Sequence, residues 1–153
     1  VIPAAVVAIA IAHAAPTLPP DTRDRYAQDI AAAVDDIETG MALVATAAIE
    51  SRFRVSIERC HCERWECDGG KAFGIYQLHQ HWLMGHSRFE VCADNRLSTE
   101  LAAKAIVALR RRVGPLRWDK VFARYVGARL DDDRVMARMK LYEELLGLDP
   151  PNS

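Results

Sequence analysis

The sequence predicts an all-α fold, and three observations carry that reading. Apolar residues recur at helical spacing along the chain, glycines and a proline pair punctuate the periodic stretches, and charge runs sit where helix dipoles favour them. At 153 residues and 50% hydrophobic content the chain suits one domain with a sizeable core and is not disordered. A net charge of -1 gives no reason to expect nucleic acid as a partner.

Residues 1–12 form an apolar run, too short to span a bilayer as a helix. Ala12-His13-Ala14 followed by Ala15-Pro16 looks like the small-x-small cleavage site of a secretory signal. Residues 1–22 are therefore expected to be an N-terminal apolar segment, a truncated signal peptide first, with an alternative start or a plain apolar arm as the other readings, and Thr17-Leu18-Pro19-Pro20-Asp21 as linker. The domain is expected over residues 23–148, with 149–153 as a tail. Export to the periplasm or the extracellular space is the expected localisation.

The first domain helix is expected over residues 23–36, where Tyr26, Ile30, Ala33 and Val34 fall at helical spacing, and Gly40 is expected to separate it from the next. That next helix runs to Glu50 through ten residues without a charge, Gly40 to Ile49, which marks it as buried on most sides. Residues 60–71 read as a charged loop ending in Asp68-Gly69-Gly70, and 79–84 as a short helix. Ser98 is expected to cap a helix reaching Val113, whose Arg110-Arg111-Arg112 suits a C-terminal dipole. Residues 118–125 form another helix. The last opens on Asp131-Asp132-Asp133 and stops at Gly147, with Pro150-Pro151 beyond.

Four cysteines, Cys60, Cys62, Cys67 and Cys92, point to disulfides in an exported chain. A Cys60–Cys62 bridge would close a very small strained ring, so each of these two is expected to pair with Cys67 or Cys92, in either order. Zinc is the rival use, with His61 or His79 available, but the spacing is unlike paired Cys-x-x-Cys knuckles. No metal and no cofactor are called for. His79, His81 and His86 are expected to make hydrogen bonds or line a cleft. Of the three tryptophans, Trp65 is the one expected to stack on a ligand, since its polar loop offers little core to join.

Chemistry concentrates in two motifs. Glu50 closes an apolar helix, where burial and the negative dipole end both disfavour the ionised form, so the carboxyl is expected to act as a general acid. About twenty residues on, Gly74-Ile75-Tyr76-Gln77-Leu78 combines a permissive glycine, a flat amphipathic ring and an amide that both donates and accepts.

In order and spacing, Ile49-Glu50-Ser51-Arg52-Phe53 and Gly74-Ile75-Tyr76-Gln77-Leu78 resemble the lysozyme-like superfamily, within it the soluble lytic transglycosylases and goose-type lysozymes. The resemblance covers roughly residues 40–146 and extends to Ala123-Arg124-Tyr125-Val126-Gly127, with Val126 where the pattern has asparagine. It implies a two-lobed helical domain with a central glycan-binding cleft, Glu50 as catalytic acid, and Ser51, Gly74, Tyr76, Gln77 and Tyr125 as substrate-binding residues. The implied partner is the peptidoglycan glycan strand, handled by a monomer.

The implied reaction is lytic transglycosylation of the β-1,4 bond from N-acetylmuramic acid to N-acetylglucosamine. Glu50 protonates the glycosidic oxygen, then takes the proton of the C-6 hydroxyl as that oxygen closes an anhydro ring. Lysozyme-like hydrolysis is the alternative and needs a second carboxylate to activate water, for which Glu63, Glu66 and Asp68 are candidates. A domain that binds cell-wall glycan without cleaving it is the third reading.

Overall fold

A computed structural model of the chain describes residues 1–63 and 67–148. Trp65 and Glu66, singled out above, lie outside the described residues, as does the C-terminal tail. Among the described residues the architecture is mostly helical, with nine helical segments and one two-stranded sheet.

Helix α1 (Ala4–Ala14) is the apolar run itself. Val7, Ala10 and Ile11 are buried against α2 (Pro20–Ala33) and α3 (Ile37–Ser51). A segment assigned outside the domain by its composition therefore supplies core side chains here. Proline stands at the first position of α2, where its missing N–H costs no helical bond. The turn expected at Gly40 is absent, because α3 runs straight through it from an Asp36 cap whose side chain accepts from the Thr39 N–H at 2.9 Å. Gly40 instead makes room: a Cβ there would stand 2.6 Å from Ile2 Cδ1.

As its uncharged sequence requires, α3 is buried from Thr39 to Ala48 and packs against α1, α7 (Asn95–Val113) and α9 (Asp133–Leu146). It ends sharply. Ser51 Oγ donates back to the Ala47 carbonyl at 2.9 Å and accepts from the Phe53 N–H at 3.2 Å. Arg52 and Phe53 then take left-handed backbones, with φ of 53° and 55°, and turn the fully buried Phe53 ring onto Tyr26.

The short α4 (Val55–Glu58) follows, and its Glu58 carboxylate is almost wholly buried. It survives there because Arg25 donates to it at 2.6 and 2.8 Å and Tyr26 at 2.7 Å. A left-handed turn, α5 (Cys67–Gly70), leads into strands β1 (Ala72–Phe73) and β2 (Leu78–His79), paired antiparallel with Phe73 opposite Leu78. Residues 74–78 also admit a strand-like turn that packs Ile75 and Leu78 into the core, and both are fully buried here, though two-residue strands are too short to show alternation. A 3-10 turn (Gln80–Trp82) replaces the short helix expected from 79 to 84.

Helix α6 (Arg88–Ala93) opens on a Ser87–Glu90 capping box. The cap of α7 is Asp94, which accepts from the Leu97 N–H at 3.2 Å, so Ser98 lies inside the helix and is buried. The remaining helices, α8 (Trp118–Val126) and α9 with its Asp132 cap, follow the sequence expectation closely. Trp118 stacks with Phe122 and Tyr142 in the core rather than facing a cleft.

Two disulfides form, Cys60–Cys92 and Cys62–Cys67, one of the two connectivities left open. Such bonds persist in oxidising compartments. No helix among the described residues is long and apolar enough to cross a membrane.

Candidate functional site

Three separate elements deliver Glu50, Gln77 and Tyr125 to one cavity of about 360 Å³. Glu50 comes from the last turn of α3, Gln77 from the β1–β2 turn, and Tyr125 from the end of α8. Asp68, His79 and Arg134 complete a polar lining.

Glu50 reaches the cavity because α3 does not end until Ser51, so its last turn emerges where the helix leaves the core. Its side chain is 15% exposed, and Oε1 accepts a hydrogen bond from the Arg138 guanidinium, which is itself fully buried. This partner was missed. Arg138 shares helical spacing with the buried Val135, Tyr142 and Leu145, and an arginine on an apolar stripe was the available signal.

Gln77 has a φ of 49°, a left-handed backbone uncommon outside glycine and asparagine. Its amide closes the turn: Nε2 donates to the Gly74 carbonyl at 3.0 Å and to Cys67 Sγ at 3.3 Å. The Cys62–Cys67 bridge thus touches a hairpin side chain that lines the cavity.

Tyr125 lines the cavity, but its hydroxyl is already engaged, donating to the Tyr76 carbonyl at 2.9 Å. Burial, with the Glu50 charge adding to it, pushes the phenol well above its usual value, so Tyr125 stays a neutral donor. It anchors the hairpin turn rather than reaching for Glu50.

Ser51, Gly74 and Tyr76 do not line the cavity. Ser51 is consumed by the α3 terminus described above. Gly74 is structural: its φ is 71°, and a Cβ would lie 2.7 Å from Ser98 Oγ. Tyr76 is fully buried, its hydroxyl 3.1 Å from Thr99 Oγ1, and burial raises its phenol far above the usual range. A local motif does not say which face of a turn is packed, and here the aromatic face is.

Of the candidate second carboxylates, Asp68 shares the cavity with Glu50, and its Oδ2 lies 3.4 Å from His79 Nε2. Glu63 lines a different cavity of about 440 Å³ beside the two disulfides. Arg134 adds a cation to the Glu50 cavity, held by Asp132 at 3.2 Å. His81 packs on Trp82 and His86 lies 3.5 Å from Glu90, so neither faces Glu50.

Chemically, the site offers a carboxyl with one oxygen anchored, an amide on a strained turn, a second carboxylate and a guanidinium, around a space of polar character. The chain matches no family model, no curated protein and no solved structure.

Proposed function

We propose that the chain is a peptidoglycan-cleaving lytic transglycosylase in which Glu50 acts first as acid and then as base on the bond between N-acetylmuramic acid and N-acetylglucosamine. The observation that carries the reading is the convergence of Glu50, Gln77 and Tyr125 on one polar cavity. These are three of the six site residues that the motif resemblance implies, and they lie on three elements far apart in sequence. In the reaction Glu50 gives its proton to the glycosidic oxygen as that bond breaks. The carboxylate then receives the proton of the C-6 hydroxyl as that oxygen bonds to C-1, so no second carboxylate is required. Gln77, whose Nε2 is spent on the turn, presents its Oε1 to a sugar hydroxyl or acetamido N–H. The two disulfides support an exported protein, where its substrate is found.

Asp68 favours a second reading, lysozyme-like hydrolysis. A carboxylate in the same cavity as the acid is what an inverting mechanism uses to activate water. Mass spectrometry of products from purified peptidoglycan separates the readings. Anhydro-muramyl ends are expected; reducing ends that disappear in Asp68→Asn would move the assignment to hydrolysis. Binding of glycan without release would leave a non-catalytic wall-binding domain.

A further inference from the structure

We infer that Arg138 is the positioning residue of Glu50, holding Oε1 of the carboxyl from the dry side of the cleft so that the other oxygen is kept toward the substrate. The inference rests on the reading of Glu50 as the proton donor.

Arg138 is 0% exposed and does not line the cavity. It lies under Glu50, between α9 and α3, with its guanidinium carbon 5.8 Å from the centre of the Phe122 ring. Nη2 donates to Glu50 Oε1, while among the described residues Nε and Nη1 have no hydrogen-bond partner. Among the described residues Glu50 is therefore the one group that hydrogen-bonds a wholly buried positive charge, with Asp132 adding a weaker attraction. A buried guanidinium with two unpaired donors is costly, and a core that needed only volume there would be better served by methionine or leucine.

The geometry divides the carboxyl into two unlike oxygens. Oε1 is tied to a side chain that has no room to move, and no described residue bonds Oε2. A glutamate on a helix end otherwise samples several rotamers, and proton transfer needs the oxygen held within hydrogen-bond reach of the leaving group. Arg138 removes that freedom without touching substrate. The pair also ties the site to the fold: neutralising Glu50 by substitution strands the Arg138 charge, so Glu50→Gln should unfold more easily even though it is nearly isosteric.

The test measures kcat and KM on peptidoglycan, per folded molecule, for Arg138→Met, Arg138→Lys, Glu50→Gln and the double variant Glu50→Gln/Arg138→Met, with thermal melts of each. Arg138→Met should lose at least about tenfold in kcat with KM within about twofold, the pattern of a group acting in the transition state only. Arg138→Lys, which restores a charge on a looser stem, should recover part of that kcat. In the melts, Glu50→Gln should fall several degrees below wild type, and adding Arg138→Met should raise it again. Wild-type kcat in Arg138→Met beside an inactive Glu50→Gln would overturn the positioning role and leave the Glu50 reading standing. A double variant that melts no higher than Glu50→Gln would show that the two are not coupled and overturn it equally. A wild-type protein without turnover would remove the Glu50 reading and this inference with it. Should Arg138→Met fail to fold, the Arg138→Lys kinetics and the double-variant melt decide the matter alone.

Discussion

Ile9 and Ile11 share one short helix and one side-chain chemistry, yet they sit on opposite faces of α1. Ile11 is 0% exposed in the core, whereas Ile9 is 36% exposed at its edge. Truncating a buried isoleucine to alanine costs about 2–5 kcal/mol, from lost transfer energy and the cavity left behind. The better helix propensity of alanine returns less than about 0.7 kcal/mol, equally at both positions. For a chain of this size each kcal/mol shifts Tm by roughly 2–4 °C, so Ile11→Ala should melt on the order of 5–15 °C lower. Ile9→Ala should stay within about 1 kcal/mol of wild type, or a few degrees. Thermal denaturation of the full chain followed by circular dichroism reads both. If the two variants melt together with wild type, α1 is not docked. The apolar run is then the detachable leader that its composition resembles.

Three further outcomes are expected. Gln77→Ala should lose roughly tenfold in glycan turnover, while Gln77→Gly should lose as much but melt higher than the alanine variant, because glycine accepts the left-handed backbone that costs alanine about 1 kcal/mol; equal activity in all three would place Gln77 outside substrate handling. Tyr125→Phe leaves the Tyr76 carbonyl without its donor and should cost about 1–3 kcal/mol of stability, with turnover per folded molecule falling less than in Gln77→Ala; an unchanged melt would refute the anchoring role. For Glu58, burial by itself would raise the carboxyl, but the hydrogen bonds from Arg25 and Tyr26 outweigh it and hold the group below its usual range. A depressed carboxyl stabilises the fold above the unfolded value and loses that contribution as pH falls through the folded one. The stability gap between wild type and Glu58→Gln should therefore be full above pH 4.5, the ordinary value, and close on acidification below it; a gap that widens in acid contradicts the assignment.

The place of Glu50 at a cavity was legible because an uncharged helix that ends in a carboxyl is a local pattern, and the count of cysteines with ring size gave two sulfur bridges but not which of two pairings forms. Arg138 was not, since it stands 88 residues away and its partner is fixed by how α9 crosses α3. Gly40 shows the same limit from the other side. Glycine between two periodic stretches reads as a break, but α3 keeps it, and the space above it is filled by Ile2. Tyr76 and Ser51 belong to the motif by position, yet their polar atoms are spent on Thr99 and on the end of α3. Ser98 looked like a cap because serine is a favoured cap residue, but Asp94, one turn earlier, does that work. In each case the identity of the residue was informative, and its direction depended on a neighbour distant in sequence.

The Cys60–Cys92 bridge closes a ring across a sequence separation of 32, and that ring contains Asp68 and Gln77 but neither Glu50, Tyr125 nor Arg138. The cavity is thus divided between a helical chassis that carries the carboxyl with its guanidinium and a covalently sealed cassette that carries the amide. Doubling the length of a flexible loop adds only about 0.6 kcal/mol of closure entropy. A lineage could therefore lengthen, shorten or exchange the cassette to retune what the cavity grasps, while the chassis that holds the Glu50 carboxyl stays untouched.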